Sequence, residues 1–330
     1  MNAVRRTSIA ALVVACLHLV FGAIVRITGS GMGCGDHWPK CYGHWFPPMS
    51  RPDLVVEVTH RYLASILVIA VGALVVAAWR NRLEPGVSGP GGALRSAIGA
   101  LTSVFAAAIL GGVTVKLGNA PYATVAHWLV AMTLLAVVAT TAMRAGALGG
   151  ASATPQRGTA RTARTAVGTA ALAIVAVAMG GLTAKYPGAA VGCTSIPLCG
   201  RNPDVEAAAA HIQLTHRVIA VLLLLHLSGA VTMLRRRRAE EAPVVTRAAV
   251  VALSLVLLQL GIASAMIIGH LPPVLRSLHE AVGVGIWLAC FTFAYLARRS
   301  AARVAPVAPT AHRPPPTAAG RARRPSPIAQ

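Results

Sequence analysis

Four histidines sit at matching places in two halves of the chain. His60 lies in Glu57-Val58-Thr59-His60-Arg61, and His216 lies in Gln213-Leu214-Thr215-His216-Arg217. His127 follows the first motif at about the length of one helical hairpin, and His279 follows the second in the same way. Neutral imidazole is a standard axial ligand for haem iron. A repeated hairpin with a histidine on each arm could therefore clasp a flat iron porphyrin between neighbouring helices. The plainer alternative is four polar side chains hydrogen-bonded inside a bundle. Repetition at corresponding places favours ligation, because ionisable groups inside a membrane are functional by default.

Glu57 stands three residues before His60, so the two share a helix face. The second copy has Gln213 at that place. A Glu-x-x-His pair also occurs in di-iron bundles, but those need two such motifs and further glutamates. One acid beside one of two porphyrin sites fits better. It predicts proton-handling chemistry at Glu57 in the first half and a supporting role for the second. The milder alternative for Glu57 is a partner that only orients a neighbour.

Cys34 and Cys41 lie in Gly-Met-Gly-Cys-Gly-Asp-His-Trp-Pro-Lys-Cys, and Cys193 and Cys199 lie in Gly-Cys-Thr-Ser-Ile-Pro-Leu-Cys-Gly. Both pairs fall in loops expected on the oxidising face, so each predicts a local disulfide. Cys193–Cys199 reads as a loop staple. Cys34–Cys41, flanked by His37 and Trp38, could also shape substrate entry or carry redox equivalents. Arg61, Arg217 and Arg276 lie near the outer ends of their helices, where they could pair with porphyrin propionates or snorkel to headgroups. His37, His44, His211 and His270 read as surface groups. His18 and His226 have no counterpart in the repeat and read as bland. Cys16 and Cys290 read as small packing residues.

The elements that must position these residues are membrane helices. Of 330 residues, 55% are hydrophobic and only 12% are charged, too few charges for a soluble surface of this size. Apolar runs recur at roughly 8–26, 54–79, 96–115, 122–143, 166–184, 207–232, 248–269 and 273–297. Each can cross a hydrocarbon core about 30 Å thick. The first run continues past Cys16 to Val25, too long for a signal peptide, and predicts a retained helix. The fold class expected is all-α, with eight spans arranged as two tandem pseudo-symmetric four-helix bundles. The halves are expected at 1–150, carrying the substrate site, and at 151–303. A flexible Gly-, Ala- and Thr-rich connector is expected near 145–164. A disordered, basic, Pro-rich tail is expected at 304–330.

The net charge of +21 comes largely from arginines in alternate loops, such as Arg80, Arg82, Arg144 and Arg235 to Arg238. The positive-inside rule then places both termini in the cytoplasm. Topology and attraction to anionic lipid account for this charge, and no nucleic-acid partner is expected. The sequence names no electron acceptor and leaves self-association as a homo-oligomer open.

Taken together, the eight spans, GSGMGCGDHWPKC, EVTHR, QLTHR and the later His127 and His279 resemble the haem A synthase family of membrane haem O oxidases. The likeness covers residues 5–298 and excludes the tail. It implies oxidation of the C8 methyl of haem O to a formyl group, giving haem A for terminal oxidases in the bacterial cell membrane, with water as oxygen source. It implies a haem b cofactor between His216 and His279. It also implies that His60 and His127 bracket the substrate porphyrin, with Glu57 beside the reacting edge and haem O arriving from the enzyme that makes it. Two rival classes remain in view. A diheme b-type electron-transfer cytochrome would leave Glu57 unexplained. A membrane thiol oxidoreductase would leave the histidines idle.

Overall fold

A computed structural model describes residues 1–48, 50–153, 158–196 and 198–302. Eight long helices account for most of it: α1 (Asn2–Ile27), α2 (Pro52–Arg80), α3 (Ala93–Lys116), α4 (Pro121–Arg144), α5 (Ala160–Lys185), α6 (Ala207–Arg236), α7 (Pro243–Ile268) and α8 (Pro273–Ser300). All eight are long and apolar enough to cross a membrane. The chain is a multi-pass membrane protein, and among the described residues there is no β-strand, only two isolated bridges within the cysteine loops. Each helix outruns the apolar stretch that predicts it, or nearly matches it, because the polar residues at its ends extend the helix into the interface.

The helix ends follow local chemistry. Proline occupies the first turn of α2, α4, α7 and α8, where its missing N–H costs nothing. The Thr159 hydroxyl caps α5 by accepting from the Thr162 N–H at 3.2 Å. Basic residues end α2, α3, α4, α5, α6 and α8 and complement the helix dipoles.

The helices pack as two rings. In the first, α1 lies against α2, α2 against α3, α3 against α4, and α4 closes on α1. In the second, α5 to α8 repeat that order. The rings meet along a seam of α1 and α4 against α8 and α5. Trp287 on α8 donates its indole N–H to the Met132 carbonyl on α4 at 2.9 Å. A Cβ placed on Gly181 of α5 would come 2.6 Å from the Trp128 ring of α4, so only glycine fits that close approach. At the end of the seam opposite the start of α1, Arg26 of α1 pairs with Glu280 of α8 and sits 5.6 Å from the Trp128 ring centroid.

Two expectations need comment. The connector is docked rather than loose over its described part. Ala145, Ala147 and Ala153 are buried, Gly149 lies against Val244 and Leu296, and Arg299 donates to the Ala153 carbonyl at 3.1 Å. Its small side chains permit this close seating, which composition alone reads as flexibility. The 304–330 tail lies outside the described residues.

Candidate functional site

The four repeated histidines occupy α2, α4, α6 and α8. Within each ring these helices are diagonal, not neighbouring: α2 packs on α1 and α3, and α6 on α5 and α7. That corrects the expectation of adjacent helices. Diagonal helices stand further apart than packed neighbours, which suits two side chains reaching toward a common centre.

In the second half, His216 of α6 and His279 of α8 meet with ring centroids 6.5 Å apart and planes at 77°. An imidazole nitrogen binds a first-row metal at about 2 Å, so two imidazoles sharing one ion have centroids roughly 6 Å apart. The observed spacing fits one iron between them. The Nδ1 atoms of His60, His127, His216 and His279 are all buried without a hydrogen-bond partner. Buried polar atoms are seldom left this way unless something else engages the ring.

The helix before each of three histidines makes room for its ring with a glycine. A Cβ on Gly22 (α1) would lie 3.2 Å from His60 Cε1, one on Gly111 (α3) 3.2 Å from His127 Cε1, and one on Gly180 (α5) 2.9 Å from His216 Cε1. His279 lacks such a cradle. Instead Gln259 of α7 donates to the backbone carbonyl of His279 at 2.8 Å.

The first half differs in one respect that repetition does not announce. His18 of α1 stacks face to face on His60, with centroids 4.3 Å apart and planes within 7°. Phe21 runs parallel to His60 at 6.4 Å and 10°. Among the described residues no ring contact joins His60 to His127 in the way that joins His216 to His279. His18 has no partner in the second copy, so the repeat gives no sign of it.

Glu57 is buried, and both its oxygens are engaged. Oε2 accepts from the Cys34 N–H at 2.8 Å, and Oε1 accepts from Arg61 at 2.5 Å. Gln213 repeats the first bond, accepting from the Cys193 N–H at 2.5 Å. Glu57 and Gln213 thus share a structural duty: each ties a helix to the first cysteine of the loop above it. What distinguishes Glu57 is its charge and its ion pair with Arg61.

Both cysteine pairs are disulfide-bonded, with Cα–Cα distances of 5.1 Å for Cys34–Cys41 and 4.7 Å for Cys193–Cys199. The arginines reach the same loops. Arg61 donates to the carbonyls of His37 at 2.9 Å and Pro39 at 3.2 Å. Arg217 donates to Ser195 at 2.6 Å and Cys193 at 3.3 Å. Loop clamping was not foreseen for either residue, although their matching places in EVTHR and QLTHR were the available signal. Arg276 has no such loop contact and lies one turn before Glu280 on α8. Trp38 seats the first loop on α3, where a Cβ on Gly112 would meet its ring at 2.7 Å. That contact is one residue from the glycine under His127.

Comparison with known proteins agrees with this geometry. The sequence matches the COX15-CtaA family, described as cytochrome oxidase assembly protein, over residues 5–55 and 51–291. The chain belongs to this family. It is 26% identical to a protein named Heme A synthase from Geobacillus thermodenitrificans over 73% of this chain and 75% of that protein. It is 30% identical to a Heme A synthase from Shouchella clausii, over 63% of this chain and 68% of the relative. A third match, 42% identical over 66 residues, falls within 10% of a Thermus thermophilus protein named Protoheme IX farnesyltransferase.

Proposed function

We propose that the protein is a haem A synthase, an integral membrane oxidoreductase that converts haem O to haem A for oxidase assembly. Family membership supports the activity. The observation that carries the site assignment is the His216–His279 pair, two buried imidazoles 6.5 Å apart with unpartnered Nδ1 atoms.

In this reading His216 and His279 hold a b-type haem, which when bound supplies a one-electron relay beside the substrate site. His60 and His127 receive haem O in the first half, each with an orphaned nitrogen and a glycine cradle. Turning the methyl group into a formyl group with the oxygen of water releases four protons and four electrons; Glu57 takes up protons as they are released, and the electrons pass to an external oxidant. Its carboxylate is buried, and Arg61 keeps that charge stable there. The disulfide loop is tied to α2 and α3 by Glu57, Arg61 and Trp38. Arg217 and Arg276 have donors to spare for propionates, whereas the terminal nitrogens of Arg61, the third candidate, are engaged by Glu57 and the carbonyls of His37, Pro39 and Lys40.

In this reading the protein lies in the bacterial cell membrane with both termini cytoplasmic, which the alternating arginine loops support. The haem O-producing enzyme is the proposed partner. The 66-residue match to a protein named Protoheme IX farnesyltransferase supports this partner.

The test is to purify the full chain after co-expression with a haem O source and extract its pigments. Haem A together with protohaem supports the reading. Protohaem alone, at two per chain, identifies an electron-transfer cytochrome instead. His216→Ala and His279→Ala are expected to remove the low-spin b-haem bands. An unchanged spectrum places the cofactor elsewhere.

A further inference from the structure

We propose that His18 is a positioning residue that presets the plane of the His60 imidazole for an incoming porphyrin. The inference rests on the reading of His60 as a ligand to substrate haem.

Three features of α1 converge on one ring. His18 covers a face of His60 at 4.3 Å and 7°. Phe21 lies parallel at 6.4 Å and 10°. Gly22 lets the ring approach the α1 backbone, its Cβ position being 3.2 Å from His60 Cε1. Positions i, i+3 and i+4 share one helix face, so α1 presents a slot with two aromatic walls and a glycine floor. The His18 Nδ1 is itself buried without a partner, so no hydrogen bond holds this ring and its contact with His60 is through its face.

The second half has the floor without the walls. Gly180 corresponds to Gly22, since each lies under the histidine of its own THR motif. Counting back from Gly180 by the same intervals gives Met179 and Ala176 where α1 has Phe21 and His18. The difference follows from what each half must do. A resident cofactor stays bound, and its iron can organise His216 once. A substrate porphyrin arrives and leaves at every turnover, so its ligand must be in place before iron comes. Ordering a mobile side chain on each arrival would weaken binding, whereas a preset ring avoids that loss. His18 supplies the order in advance.

The experiment titrates haem O into the full-length protein in detergent, following the absorbance difference and low-temperature EPR of the ferric form. The variants are His18→Ala, His18→Phe and His60→Ala. The b-haem signal of the second half serves in each sample as the check on folding. His18→Ala is expected to weaken haem O binding roughly 2- to 10-fold, the range for ordering one side chain. It is also expected to broaden the g-values of the first-half haem. His18→Phe keeps a flat wall and is expected to restore both. His60→Ala is expected to lose the first-half signal. If His60→Ala matters and His18→Ala binds and resonates like the parent, the inference is overturned while the ligand assignment stands. If His18→Phe behaves like His18→Ala, the ring nitrogen rather than its face is needed, and stacking is overturned. If His60→Ala binds haem O normally, the ligand assignment falls and the inference falls with it.

Discussion

The Cys34 N–H donates to Glu57 Oε2 at 2.8 Å, and through this bond the acid of the first half is tied to the loop that covers it. Because Gln213 makes the same bond to Cys193, nature has already tried the amide at this position in the second half. Glu57→Gln therefore isolates charge from architecture. It is expected to keep the Cys34–Cys41 loop and haem binding, and to lower haem A formation by about 100-fold or more, the usual contribution of a proton-transferring group. Glu57→Ala is expected to lose the loop contact as well. Pigment analysis and thiol accessibility of Cys34 and Cys41 check the two effects separately; a fully active Glu57→Gln enzyme would remove the proton role.

The glycine floors give a second prediction. Gly180→Ala puts a methyl group 2.9 Å from His216 Cε1, too close for the ring to stay where it is. Overpacking of this kind costs about 1–3 kcal/mol. The b-haem bands of Gly180→Ala are expected to shift or weaken, while haem O binding in the first half persists. Gly22→Ala is expected to do the reverse, and optical spectra of the two variants compare them directly.

The seam ion pair gives a third. Arg26 and Glu280 are largely withdrawn from water, with side-chain exposures of 11% and 24%. Removing Glu280 leaves the Arg26 charge uncompensated, at a cost of about 3 kcal/mol; removing Arg26 costs less, because Arg276 still faces Glu280. Replacing both with leucine is expected to cost less than Glu280→Leu alone. Thermal unfolding in detergent of Arg26→Leu, Glu280→Leu and the double variant measures the coupling.

The short turn before α8 gives a fourth. His270 and Leu271 adopt φ of 57° and 63°, a left-handed backbone that side chains other than Gly and Asn resist. The first copy uses Gly118 and Asn119 there, at 59° and 57°, and Asn119 also donates to the Gly31 carbonyl at 2.8 Å. Leu271→Asn is expected to stabilise the protein by up to about 1 kcal/mol, seen as a raised unfolding temperature with unchanged spectra.

Much of this molecule could be read without coordinates, for a physical reason. In lipid a helix must satisfy its own backbone, so apolar length alone marks α1 to α8. Duplication then put His60 with His216 and His127 with His279 before any geometry was available. What escaped were contacts between elements distant in sequence. Glu57 and Gln213 look like a chemical contrast on paper, yet both accept a cysteine N–H, because hydrogen-bond geometry does not depend on the charge of the acceptor. The helix-end positions of Arg61 and Arg217 suit propionates or headgroups, while their guanidinium groups turn to loop carbonyls. His18 carries no signal in the repeat, because it belongs to the half that departs from it.

The small residues beneath His60, His127 and His216 also bear on how such a protein can fail. Glycine codons become alanine codons by one base change. A lineage could thus lose the alignment of its iron-facing rings while every ligand and every cysteine stayed intact. Inspection of the motifs alone would pass such a chain as sound; the defect would lie on α1, α3 or α5, one helix away from the residue it disables.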